Sequence, residues 1–178
     1  MPSETGHHGY CLSRMIILLL AFVFLTACAA TSTTIIEEEI VTNKKPMYTY
    51  KSIVIKDFEL NRDLYTDAPE LAMSQRDHLY ARMPGDLSEN IERFIKSRRS
   101  FQNVSRNGEL TASTLLLQGR FTRLGRFRVS IVATLNDGAT GQEVAFFRQT
   151  LWDVLDSTVT ISDLAHEIAD FINRIQYK

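Results

Sequence analysis

Phe127, Val129, Ile131, Ala133 and Leu135 alternate with Arg128, Ser130, Thr134 and Asn136. Successive strand side chains point to opposite faces, so this stretch demands a sheet with one buried and one polar face. The segments on either side extend the demand. Between Thr114 and Leu124, Leu115, Leu117 and Phe121 share a face, Arg120 and Thr122 take the other, and Arg123 falls on the apolar parity. Leu124-Gly125-Arg126 makes a tight connection between the two strands. Asn136-Asp137-Gly138, with Gly141 after it, closes a hairpin, and the stretch from Glu143 to Trp152 returns as its partner. Phe146 and Phe147 are adjacent and must face opposite ways, with Phe146 and Trp152 taken as core and Phe147 as either part of a second core layer or a candidate contact for a partner.

Helical patterns flank this meander. Asp86 and Glu89 make a capping-box-like start, and Leu87, Ile91, Phe94 and Ile95 recur at helical spacing to about Arg98. The polar residues 61–85, with Pro69 and Pro84, read as a long loop holding at most a weak helix near 71–80. Thr160 and Asp163 open a second helix, on which Ile161, Leu164, Ala165, Ile168, Phe171, Ile172 and Ile175 trace one apolar stripe. Ile53-Val54-Ile55 between Lys51 and Lys56 reads as a short two-sided strand, and residues 101–106 as another. The expected fold is α/β (α+β): a single mixed, largely antiparallel sheet with two main amphipathic helices covering one face.

Ahead of this domain lies an apolar run from Met15 to Leu25, preceded by Arg14 and followed by Thr26-Ala27-Cys28. A membrane-spanning helix needs about 20 apolar residues, so the run has the length of an export signal instead. Leu25-Thr26-Ala27-Cys28 resembles a bacterial lipoprotein processing site, which implies that Cys28 is lipidated and becomes the amino terminus. The expected organisation is a signal peptide over residues 1–27, the lipidated Cys28 and a flexible tether over 28–46, and a single α/β domain over 47–178. The alternative for part of the tether is an edge strand over residues 35–41. Cleavage leaves 151 of the 178 residues, with Cys28 the single remaining cysteine. Disulfides and cysteine-based zinc sites are thereby excluded, and packing alone must stabilise the fold.

Several phrases resemble a known group: Ile53-Val54-Ile55-Lys56-Asp57-Phe58, Leu87-Ser88-Glu89-Asn90-Ile91, Phe101-Gln102-Asn103-Val104, Leu116-Leu117-Gln118-Gly119-Arg120-Phe121, and the run from Leu135 to Glu143. They are similar to uncharacterised bacterial envelope lipoproteins whose α/β domain resembles the amino-terminal domain of TolB and the penicillin-binding-protein activator lipoproteins. The resemblance covers about residues 50–175. It implies binding or assembly work in the cell envelope and carries over no catalytic residue. Ala29, in place of the Asp that lipoproteins kept at the inner membrane resemble one another in carrying, implies the periplasmic face of the outer membrane.

Formal net charge is −1, so nothing global points to nucleic acid. Its distribution is uneven. Residues 57–92 carry nine acidic and three basic side chains, whereas residues 93–128 carry nine basic side chains against Glu109 alone. Arg120, Arg123, Arg126 and Arg128 cluster about one hairpin, and with Arg98 and Arg99 they are candidates for docking an anionic partner, because the guanidinium fork suits carboxylates and phosphates. No motif requires a cofactor or a metal. The expectation is a non-enzymatic binding, assembly or regulatory lipoprotein, held to the membrane through lipid on Cys28 and partnered by an envelope protein or cell-wall component. The alternative is an envelope hydrolase or metal-dependent enzyme using Asp67, Asp77 and His78; His166 reads as a solvated helix residue.

Overall fold

The computed structural model describes residues 33–42, 45–125, 127–152 and 157–176; the export segment, Cys28 and Arg126 lie outside the described residues. Eight principal elements follow in order: β1 (Thr33–Val41), β2 (Ser52–Ile55), α1 (Gln75–Arg98), β3 (Asn103–Ser105), β4 (Thr114–Leu124), β5 (Arg128–Asp137), β6 (Glu143–Trp152) and α2 (Ser157–Gln176). The strands form one six-stranded sheet in the order β1-β6-β5-β4-β2-β3. β2 runs parallel to both β3 and β4, and the remaining pairs are antiparallel. The fold is therefore α/β, with a mixed, largely antiparallel sheet and two helices.

The period-2 pattern sets the core. Leu117, Leu135 and Ala145 stand side by side across β4, β5 and β6, followed by Gly119, Ala133 and Phe147 and then by Phe121, Ile131 and Gln149. On this face both helices pack, α1 through Met83, Leu87, Ile91 and Ile95, and α2 through Ile161, Leu164, Ile168, Phe171, Ile172 and Ile175. Gly119 is required here: a Cβ would run into the ring of Phe58 and, at 2.5 Å, the carbonyl of Val132. Without one, Phe58 lies against the sheet and meets Phe121 edge to face, with ring centroids 6.4 Å apart.

Phe147, expected in a second core layer or at a partner surface, is in the main core beneath the helices. It is 1% exposed and stacks on Phe171 with centroids 5.0 Å apart. The parity of β6 is the reason: Ala145, Phe147, Gln149 and Leu151 face the helices, which turns Phe146 and Trp152, expected in the core, to the other side.

Two segments differ from expectation. Part of the stretch read as a flexible tether is β1, an edge strand paired to β6 along its length. Its three glutamates are each matched by an arginine from a distant element: Glu37 by Arg128 at 3.6 Å, Glu38 by Arg148 at 3.8 Å, and Glu39 by Arg174 of α2. The second difference is α1, which starts at Gln75 and runs through Pro84 and Gly85. Its cap is Ser74, whose hydroxyl accepts from the Asp77 amide at 3.2 Å while the Asp77 carboxylate accepts from the Ser74 amide at 2.9 Å. Beyond the proline, Ser88 donates to the Pro84 carbonyl at 3.0 Å.

The segment leading into β2 is fastened by a polar knot. The Tyr50 hydroxyl donates to Asp137 at 2.9 Å, and Lys45 lies 4.4 Å over the Tyr50 ring. Burial, then the hydrogen bond and charge of Asp137, push Tyr50 up to about 12. For Asp137, burial works in the opposite sense but is outweighed by the amides of Thr140 and Ala139 and the Tyr50 hydroxyl, holding it at about 2.

Because Phe147 fills the centre of the core, Phe147→Ala is expected to cost about 3–5 kcal/mol in denaturant unfolding. Phe146→Ala, on the open side of the same strand, is expected to cost clearly less.

Candidate functional site

The face of the sheet turned away from the helices carries the charged cluster. Across β4, β5 and β6 it presents Arg120 beside Val132 and Arg148, and then Arg123 beside Ser130 and Thr150. Arg123 reaches this face through a β-bulge. The register slips between Phe121 and Arg123, so the extra residue returns Arg123 to the side of Arg120, against the simple alternation that placed it with the core. At the end of the sheet Arg128 stands beside Trp152.

The four arginines differ in their company. Arg128 is paired with Glu37, and its guanidinium lies 4.5 Å over the Trp152 ring. Arg148 is paired with Glu38 and lies 5.6 Å over Phe146. Arg120 and Arg123 are exposed and form no ion pair among the described residues. A second bulge serves this face. Glu37 is the extra residue of β1, between Ile36 opposite Gln149 and Glu38 opposite Arg148. Its carboxylate accepts from Thr150 at 2.6 Å, and Thr150 bonds the hydroxyl of Ser130 at 2.7 Å.

Next to the unpaired Arg120 is a shallow groove of about 310 Å³, lined by Glu59, Gln118, Arg120, Val132, Thr134 and Phe146. Its floor is half apolar, its wall holds one cation and one anion, and Ile40 of β1 lies opposite Phe146 at its edge. Such a lining offers shape and a few polar anchors.

Of the remaining sequence candidates, Arg126 lies outside the described residues. Arg98 is engaged elsewhere, donating from Nε to Asp170 across the two helices at 3.0 Å, and Asp170 also meets His166 at 3.0 Å. Arg99 closes α1 in the left-handed region at φ 55°, on the helix side of the molecule. Arg106 with Asp57 and Lys96 with Glu92 join the basic and acidic stretches of the sequence. Of the trio Asp67, Asp77 and His78, Asp77 caps α1, where the Ser74 amide and hydroxyl hold its carboxyl below the usual range, while Asp67 and His78 are exposed. Among the described residues no three potential ligands gather in a way that suits a metal ion. Arg148 escaped the sequence reading, although its parity on the strand returning from the Asp137 hairpin places it on the same face as Arg128.

No family model and no curated protein sequence matches the chain. In structure it is similar to PelC from Paraburkholderia phytofirmans, solved as a dodecamer, with a TM-score of 0.52 at 9% identity over 80% of this chain and 98% of that one. A substituted form of the same PelC dodecamer gives 0.51 at 11% identity over the same shares, 80% and 98%. Protein XCC0632 from Xanthomonas campestris, of the family DUF330, gives 0.48 at 10% identity over 78% and 94%. At these identities the likeness defines a shared α/β fold.

Because Arg120 and Arg123 contact solvent, replacing both with Gln is expected to change unfolding free energy by less than about 1 kcal/mol per site. Thermal denaturation followed by circular dichroism checks this, and a larger loss would mark them as structural.

Proposed function

We propose that this chain is a lipid-anchored envelope protein, on the periplasmic face of the outer membrane, that binds an anionic partner through the uncovered face of its sheet and does no chemistry of its own. The observation that carries this reading is the arginine face itself. Four guanidinium groups project from one side of three adjacent strands, and two of them are left without an acid among the described residues. The adjoining groove supplies apolar contact through Val132 and Phe146. Arginine suits a receptor for carboxylate or phosphate, because its planar fork can form two hydrogen bonds at once and so loses less side-chain entropy per bond. The anchor comes from Leu25-Thr26-Ala27-Cys28, and the resemblance to envelope lipoproteins of binding and assembly function points the same way. PelC, which shares the fold, was solved as a dodecamer. A second copy of this chain is accordingly one occupant that the experiment must distinguish.

The test is crosslinking from intact cells followed by capture of the lipidated protein. Wild type is expected to bring down a defined envelope component, and the Arg120→Gln, Arg123→Gln variant to lose most of it at low salt. Equal capture by both proteins across ionic strengths would contradict the reading, and a crosslinked product holding only this chain would identify the occupant as a second copy. Cys28→Ser is expected to accumulate as an unprocessed precursor; processing to normal size and flotation with membranes would remove the anchor.

A further inference from the structure

We propose that the end of the sheet bearing Trp152 and Phe127 rests on the interface of the phospholipid bilayer in which Cys28 is anchored. The inference deepens the anchored reading and rests on lipidation of Cys28.

It begins with chain length. β1 starts at Thr33, five residues after Cys28, and five residues span at most about 17 Å when fully extended. Thr33 is therefore tied close to the membrane by a short leash. Register then says what lies beside Thr33. It is paired with Trp152, Trp152 is paired with Arg128, and Leu124 is paired with Val129. The start of β1, the finish of β6 and the turn from β4 into β5 consequently share one end of the sheet.

Large apolar side chains meet solvent at this end, next to the short leash, as Val41 and Tyr48 also do at the other. Phe127 is 60% exposed and Trp152 39% exposed, and Val159 in the first turns of α2 is 53% exposed. Arg128 covers one side of the indole, and Arg123 stands on the same face one strand away. At the opposite end the turn of residues 137–142 is Asp-Gly-Ala-Thr-Gly-Gln, and the exposed Val41 lies eight residues further along β1 from Cys28 than Thr33 does. Indole and phenyl rings with arginines beside them match the bilayer interface, where the ring enters the acyl boundary and the guanidinium meets lipid phosphate. The aromatic side chains carry the contact. A weak contact is enough, because the lipid on Cys28 makes the encounter intramolecular.

Trp152 is the single tryptophan of the chain, so its fluorescence reports this one site. Lipidated protein is reconstituted in vesicles of phosphatidylethanolamine and phosphatidylglycerol, with and without brominated acyl chains, and co-flotation is measured on the same sample. The expected result is flotation with at least about a twofold loss of Trp152 emission in brominated vesicles and reduced quenching by aqueous acrylamide. Flotation with no bromolipid quenching overturns the proposal and leaves the anchor standing; this holds equally if acrylamide access is lost, which would mean that a second copy covers the indole. Absence of flotation overturns the anchored reading and this inference with it.

Discussion

One-sided burial governs this molecule. β4, β5 and β6 carry most of their apolar residues on a single parity, and α1 and α2 pack on that side. The arginines of those strands are consequently collected on the second face in fixed register. Strand neighbours are about 4.8 Å apart, so Arg120, Arg123, Arg128 and Arg148 are brought within reach of one another by the same pairing that builds the core. The core also fixes the position of the face. Phe147 stacked on Phe171 and Phe58 lying over Gly119 leave no room for a register slip, which would turn every arginine inward.

Where a local pattern decided the structure, it was legible. The alternation in β5 and the stripe on α2 each arise within about 20 residues, and both elements are present. Arg120 and Arg128 were likewise readable as opposite to the apolar set. What was not legible depends on distant partners. A strand of sequence Glu37-Glu38-Glu39 looks like a solvated tether until Arg128, Arg148 and Arg174 are brought to it by the fold, over separations of about 90 to 135 residues. Arg123 was misplaced because a bulge is invisible to a period-2 count. Phe146 and Phe147 have the same side chain, so composition could not choose between their faces. In α1 the Ser74 and Asp77 cap lies ten residues ahead of Pro84, and the helix continues through a residue that usually stops one.

The edge strand joins the fold to the proposed function. As a tether, residues 28–46 would let the domain wander some tens of ångströms from the bilayer. With residues 33–41 built into the sheet, the stretch from Cys28 to the domain shrinks to a few residues, and in the anchored reading this is what orients the sheet. Under the proposed anchor, the arginine face runs away from the membrane along the strands, beginning at Arg128 and Arg123 and ending near Arg120 and Arg148. In the anchored reading, a partner in the periplasm meets a surface whose height and direction are set by β1.

Hydrogen exchange on the lipidated protein tests that point most directly. Half of the amides of an edge strand bond the neighbouring strand, and half face solvent. The account predicts alternating protection over residues 34–41, weaker than in β5 and β6 but well above the rate of an unstructured peptide. Exchange of all amides in this stretch at the unstructured rate, with β5 and β6 fully protected, would show that β1 is not part of the sheet, and the short leash and the orientation drawn from it would both be lost.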